Sequence, residues 1–259
     1  MRPIGECRLC LQVKLLCDSH LLPKSMYKLL RGRNRRNPNP VHVVKDESAH
    51  ATSRQIKDYL LCEDCEQRFR REGEDWTMAQ CYRDGTFLLR DTLRGIAPLS
   101  ANPRISVYRG IEVPGIEQLV YFGMSVFWRA AAHEWNVLGK DYQISLGPYE
   151  EPIRRYLLGE AAFPDKVTFS VRVSDGEERF LNLAYAPESG NRDGFHVHRL
   201  LIPGVLFLML TGGRIPPNHY RSSTVPAPER FISIHPESEE NDLMAMADVV
   251  RSAEPINLS

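Results

Sequence analysis

The sequence has no net charge, no long apolar run and no internal repeat, and each absence excludes a class of protein. Its 33 Lys and Arg residues balance 33 Asp and Glu residues, so the chain is not a polycation that binds nucleic acid through overall charge. The longest apolar run, Leu200–Leu210, contains Pro203 and Gly204 and is shorter than the roughly 20 residues of a membrane-spanning helix. The lack of a repeat excludes a solenoid.

The N-terminus also lacks the apolar stretch of a secretory signal, because the chain starts Met-Arg-Pro-Ile-Gly-Glu. We therefore expect a cytoplasmic protein that does not associate with membranes. In that reducing environment the six cysteines are expected to be thiols rather than disulfides. The 259 residues, of which 42% are hydrophobic, suffice for one large domain or two smaller ones.

Charge is unevenly distributed along the chain. Residues 1–95 contain 18 Lys and Arg against 13 Asp and Glu, whereas the remainder contains 15 against 20. An anionic partner is therefore expected at the N-terminal part. This N-terminal part contains four closely spaced arginines, Arg31, Arg33, Arg35 and Arg36. Their guanidinium groups suit phosphate contacts, although a solvated charge run explains them equally well.

Four of the cysteines form two Cys-x-x-Cys pairs. The first pair is Cys7 and Cys10, the second is Cys62 and Cys65, and 51 residues separate the pairs. Thiolates at this spacing can share one tetrahedral zinc ion. The pattern predicts a structural Zn²⁺ site, and the alternative is a set of buried thiols without metal.

Two further segments accompany these pairs: Ser19-His-Leu-Leu-Pro23 and Tyr59-Leu-Leu-Cys-Glu-Asp-Cys-Glu66. With them, residues 5–80 resemble an HNH endonuclease domain of the ββα-metal type, in the subgroup with Ser-His-x-x-Pro and Leu-Leu-Cys-x-x-Cys-Glu segments. The match covers roughly a third of the chain. The later segment Phe127-Trp-Arg-Ala130 is similar to C-terminal regions that accompany this type of nuclease.

The resemblance implies catalytic roles for three residues. His20 would be the general base, and Glu66 would bind a catalytic Mg²⁺ or Mn²⁺ where the family usually has His or Asn. A carboxylate suits these hard ions. Ser19 occupies the position of a frequent metal ligand, although a hydroxyl is a poor ligand, and Asp58 lies near the usual place of a structural asparagine. The alternatives are a structural histidine at position 20 and a helix-terminus acid at position 66.

The fold class that we expect is α+β. Residues 1–95 should form a treble-clef ββα-metal zinc module, with a helix from the second cysteine pair to about Gln80. Residues 96–259 should form a mixed region in which an antiparallel sheet packs on helices. Apolar residues on nearly every face of 116–135 predict a buried helix there, and the alternation over 167–173 predicts a strand.

The function that we expect is metal-dependent hydrolysis of phosphodiester bonds in DNA, of a kind that would fit prokaryotic antiphage defence. Residues 96–259 would position the substrate, form a homo-oligomer or bind a partner protein. Two alternatives remain open. One is a catalytically inactive zinc-binding module for nucleic acid or protein, and the other is a structural subunit whose zinc only holds the N-terminus in place.

Overall fold

The computed structural model describes residues 2–30, 41–45, 48–52, 55–137, 139–176, 181 and 183–235. They form mixed helical and sheet structure, as expected of an α+β fold. The helices are α1 (Lys24–Leu30), α2 (Glu63–Phe69), α3 (Asp75–Gln80), α4 (Leu88–Arg94), α5 (Ile116–Ala132), α6 (Glu150–Leu158) and α7 (Pro217–Arg221). The strands are β1 (Ile4–Glu6), β2 (Val13–His20), β3 (Val41–Lys45), β4 (Ser48–Thr52), β5 (Lys57–Cys62), β6 (Ser100–Ala101), β7 (Ser106–Arg109), β8 (Trp135–Val137), β9 (Lys140–Tyr142), β10 (Val167–Ser174), β11 (Tyr185–Arg192), β12 (Phe195–Ile202), β13 (Val205–Thr211) and β14 (Phe231–His235).

The N-terminal part is a three-stranded antiparallel sheet in the order β1-β2-β5. The turn between β1 and β2 contains the first cysteine pair, and β5 runs directly into α2, which contains Cys65. The register pairs Leu16 with Cys62 and His20 with Lys57. Strand pairing therefore brings two cysteine pairs that are far apart in sequence to the same end of the sheet.

A continuous helical stretch runs from α2 to α3, and its extent confirms the helix predicted up to Gln80. Its middle, Arg70–Glu74, is a π-helix, a feature frequent at functional sites. Gly73 faces α5 there, and a Cβ at this position would lie 2.9 Å from the backbone nitrogen of Phe122. Only glycine permits so close an approach of the two helices.

The helix α5 lies in the centre of the molecule, which explains its apolar residues on nearly every face. The ring of Phe127 packs 6.3 Å from that of Phe169 in β10. On the other side, Trp128 packs 6.1 Å from Phe69 of α2. The helix ends at Ala132, three residues earlier than predicted, because His133 is already extended. Thus α5 joins the N-terminal module to the large sheet.

The large sheet has seven strands in the order β11-β12-β13-β10-β14-β7-β6. It differs from the antiparallel sheet that was expected in one pair, since β14 runs parallel to β10. That strand lies in a part of the sequence rich in Pro, Glu and Ser. Its alternating Ile232 and Ile234 are buried, and this burial outweighs the polar composition around it.

One core cluster contains buried residues from both predicted domains, for example Phe69 and Phe207, and the division into 1–95 and 96–259 stays a prediction. The four arginines that suit phosphate contacts lie outside the described residues, namely Arg31, Arg33, Arg35 and Arg36. Within the described part of the chain, no helix is long and apolar enough to cross a membrane.

Candidate metal centre and active site

The four predicted metal ligands converge. The Sγ atoms of Cys7, Cys10, Cys62 and Cys65 all lie within 4.8 Å of one another, and those of Cys10 and Cys62 are 3.9 Å apart. A tetrahedral ion with metal–sulfur bonds of about 2.3 Å needs sulfur atoms about 3.8 Å apart. The cluster could therefore hold one metal ion with little adjustment.

The thiols influence each other's ionisation because they share this small space. The Cys65 thiol is placed to donate a hydrogen bond to the Cys7 sulfur, which lowers the pKa of Cys7 to about 4. The same contact raises the pKa of Cys65. The backbone amide of Cys62 also points at the Cys7 sulfur, at 3.3 Å. These donors favour negative charge on sulfur, the state in which cysteine binds metal.

The C-terminal part of the chain holds the first cysteine pair in place. Arg8, inside the pair, donates from Nε to the carbonyl of Ala132 at the end of α5 (3.2 Å). Arg154 of α6 donates to the carbonyl of Leu9. The four-cysteine cluster is therefore attached to the large region and not only to the N-terminal sheet.

Glu66 lies one turn inside α2, next to Ser19 on β2. Its Oε1 is buried and has no hydrogen-bond partner among the described residues. Burial raises the pKa of the carboxyl, and the nearby Arg129 charge and the Ser19 hydroxyl oppose that rise. A buried oxygen without a partner costs free energy, so this carboxylate is arranged to accept a cation or a proton.

Ser19 itself is fully buried. Its Oγ accepts a hydrogen bond from the amide of Leu61 at 3.1 Å, which ties β2 to β5 next to Glu66. This environment suits a residue that positions Glu66 better than one that touches substrate or ligates metal. The catalytic role that the resemblance implies for Ser19 stays a prediction.

His20 ends β2 and is half-buried. Its Nε2 lies 2.7 Å from Oε1 of Gln55, and its ring lies 6.5 Å from that of Tyr27. If the amide oxygen accepts this bond, Nε2 carries the proton and Nδ1 is free to act as a base. A charged His20 would lower the pKa of Glu66, after the larger effects of burial, Arg129, Ser19 and Glu74, so the two side chains lie in the same region of the module.

Arg129 connects this site to the central helix. It is only 2% exposed, forms an ion pair with Glu74 from the π-helix and donates from Nη1 to the carbonyl of His20 at 3.2 Å. Its guanidinium carbon lies 4.6 Å above the ring of Phe69. A buried arginine with an acid, a carbonyl and an aromatic ring around it is held rigidly.

Two other acids of the N-terminal part lie elsewhere. Asp58 pairs with His133, whose Nε2 is 3.0 Å from Oδ2, and this contact again links β5 to the end of α5. Glu72 is half-exposed and pairs with Arg71. Neither residue joins His20 and Glu66.

Sequence reasoning missed three residues of this site: Gln55, Glu74 and Arg129. A signal for Arg129 was present, because it is the only basic residue in a helix that is apolar on nearly every face, and a buried charge needs a partner. No sequence signal identified Gln55 or Glu74. Their positions depend on the β5 register and on the π-helix, which a regular helical period does not predict.

Comparison with protein-family models, with curated proteins and with solved structures finds no match. The functional argument therefore depends on the residues of this chain.

Proposed function

We propose that the protein is a metal-dependent endonuclease that hydrolyses phosphodiester bonds in DNA. In this proposal Cys7, Cys10, Cys62 and Cys65 hold a structural Zn²⁺ in a treble-clef module. His20 and Glu66 form the catalytic centre beside it. The resemblance of residues 5–80 to the HNH nucleases supports the reaction class and the substrate.

The observation that carries the proposal is the buried Glu66 oxygen, which has no partner among the described residues, in a carboxyl whose pKa a charged His20 would lower. A general base and a cation site are the two components that phosphodiester hydrolysis requires. The carboxylate fits Mg²⁺ or Mn²⁺ better than zinc. Such an ion, when bound, would stabilise the charge on the phosphate and on the leaving oxygen.

The surrounding residues would prepare this chemistry. Gln55 would hold the His20 ring and set the nitrogen that accepts the proton of the attacking water. Ser19 would hold the Glu66 side chain against β2. Arg129 would fix the backbone of His20 through its carbonyl. Each of these contacts restricts motion of a reacting group before substrate binds.

The experiment is cleavage of supercoiled plasmid by the full chain with added Mg²⁺ or Mn²⁺. We expect His20→Ala and Glu66→Gln each to lower the rate by about a hundredfold or more, as loss of an acid–base group does. Two matched variants should retain the wild-type rate: Glu72→Gln, an acid of the same helical stretch, and His219→Ala, an exposed histidine. Zinc content is measured in every protein so that a folding defect is recognised.

Absence of cleavage by the wild type under both ions would reject the enzyme. Equal cleavage by the wild type and both site variants would also reject the assignment, because the activity would then come from elsewhere.

A second candidate function is a zinc-binding module that recognises nucleic acid or protein without catalysis. The buried Ser19 favours it, because the strand that carries His20 then supplies no second metal ligand. This candidate predicts salt-sensitive retention of DNA without nicking, and equal retention by the His20→Ala variant.

A further inference from the structure

The seven-stranded sheet packs one face on α5 and leaves the other face as a wide groove. The groove has a volume of about 980 Å³. Its floor is the outer face of β10, β12, β13 and β14, and α7 lies at one side. The proposed nuclease site uses none of this surface.

The floor of the groove is more apolar than a sheet face that stays in water. On β13, Phe207 and Met209 face the core, while Leu206, Leu208 and Leu210 face the groove. Strands with one solvated face alternate apolar and polar residues, whereas strands covered on both faces are apolar throughout. Described neighbours already bury Leu206 and Leu210, whereas Leu208 between them is only partly buried. The sequence of β13 therefore indicates further cover over the middle of this face.

The walls of the groove carry an excess of positive charge. Among the described residues that line it, the arginines are Arg172, Arg192, Arg199 and Arg221, and the only acid is Glu188. That acid lies 3.6 Å from Arg199. An occupant with apolar side chains and several negative charges would complement this surface.

The chain that follows β14 has this composition. His235 ends β14 and lines the groove, and residues 236–259 come directly after it. They contain six acids against one basic residue, Arg251. Four of the acids lie within 237–242, and the apolar stretch Leu243–Ala247 follows them.

The distances permit this segment to reach every part of the groove. Only β10 separates β14 from β13, and the register sets the three leucines of β13 two, four and six residues back from the end of β14. At the usual strand spacing and rise they lie about 12 to 23 Å from that end. A segment of 24 residues spans about 36 Å even as a continuous helix. Because the segment is attached, its effective concentration at the groove is of millimolar order.

We propose that residues 236–259 bind in this groove, with the acids of 237–242 against the arginines of its walls and the apolar stretch 243–247 over Leu206, Leu208 and Leu210. The C-terminal segment then covers the second face of the large sheet in the same chain. A free site for a second copy, for a nucleic acid or for another protein is the alternative at this surface.

The test is photocrosslinking in the full-length protein. One variant carries p-benzoylphenylalanine at Leu208 on the groove floor, and a second carries it at Met246 in the segment. We expect adducts within one chain, from position 208 into 236–259 and from position 246 into 195–210, identified by peptide mass spectrometry. The label at Met246 leaves every side chain of the sheet unchanged, so it keeps the test valid if the Leu208 variant does not fold.

A control label at Val13, an exposed residue of the N-terminal sheet, should give no adduct with 236–259. Neutralising the four acids of 237–242 as amides should lower the yield of intrachain adduct by about fivefold, and 1 M salt should act similarly because it shortens the Debye length to about 3 Å. Adducts with a second copy, with nucleic acid or with another protein, or no intrachain adduct from either label, would overturn the proposal.

Discussion

At the scale of single residues, Arg129 is a buried charge that contacts distant parts of the chain. It places a positive charge in the interior, where a charge is tolerated only with a partner and hydrogen bonds. The partners come from two different places in the chain, Glu74 of the π-helix and the carbonyl of His20. The arginine therefore connects folding of the central helix with the geometry of the candidate active site.

We expect Arg129→Met to lower the free energy of unfolding by about 3 kcal/mol, because it leaves the partly buried Glu74 without its counter-charge. The double variant Arg129→Met with Glu74→Gln should recover part of this loss, since the unpaired charge is then removed as well. Urea unfolding of the wild type, both single variants and the double variant measures the coupling. A single variant as stable as the wild type would contradict the structural role.

His198 provides a second prediction at this scale. It is fully buried, and its Nδ1 and Nε2 contact Ser189 and Thr211. Burial, with the neighbouring His196, lowers the pKa of His198 to about 4, below the ordinary value of about 6.5. The unfolded chain therefore binds a proton below about pH 6.5, while the folded protein does not until about pH 4.

Because the unfolded chain binds more protons than the folded protein in this range, the folded protein loses stability as pH falls. We expect the free energy of unfolding of the wild type to drop by about 2 kcal/mol more than that of His198→Gln between pH 7.5 and pH 5. Other titrating groups are shared by both proteins and cancel in the difference. Parallel curves for the two proteins over this range would show that His198 is not held neutral.

At the scale of elements, the contact between the π-helix and α5 decides how the N-terminal module meets the core. Gly73 makes the contact possible, since any Cβ there would meet the backbone of α5. Backbone atoms in the middle of a buried helix cannot move aside easily. The π-helix also directs Glu74 toward Arg129, so one local irregularity serves both packing and charge pairing.

We expect Gly73→Ala to lower stability by about 1–3 kcal/mol, the usual cost of an overpacked contact. The matched control is Gly213→Ala, because a Cβ there meets no atom within 4 Å and should change stability by less than about 0.5 kcal/mol. Denaturant midpoints of the two variants make the comparison. Equal midpoints would contradict the close approach of the helices.

At the scale of the whole molecule, the four-cysteine cluster acts on more than the N-terminal sheet. Arg8 and Arg154 attach the first cysteine pair to the end of α5 and to the middle of α6. The buried core extends from the N-terminal sheet through α5 to the large sheet. Loss of the cluster should consequently affect the stability of the large region too.

We expect Cys62→Ser, or removal of zinc by a chelator, to lower the free energy of unfolding by about 4 kcal/mol or more, which corresponds to roughly 10 °C in Tm for a chain of this size. Cys17→Ser is the matched control, since Cys17 is buried but does not belong to the cluster. Metal analysis should find zinc in the wild type and in the control and not in Cys62→Ser. Zinc retained by Cys62→Ser would reject the four-thiolate site.

Much of the element structure could be predicted from local patterns. The helical stretch after the second cysteine pair follows from the acids at its start. The buried helix near 116–135 follows from its apolar residues on nearly every face, and the strand from Val167 follows from alternation. The strand β14 and the β3–β4 hairpin were not predicted. The strand β14 lies between β10, to which it runs parallel, and β7, to which it runs antiparallel, and pairing with distant strands has no local signal.

The sequence alone determined which residues are available for chemistry: two Cys-x-x-Cys pairs, His20 and Glu66. These residues can be identified from the sequence because ligand spacing and residue type are local properties. The tertiary structure decided that the four thiols converge, that Ser19 is buried, and that Gln55, Glu74 and Arg129 surround His20 and Glu66. These contacts join residues up to 109 positions apart, and they arise from strand register, from one π-helix and from burial of α5, none of which a short stretch of sequence encodes.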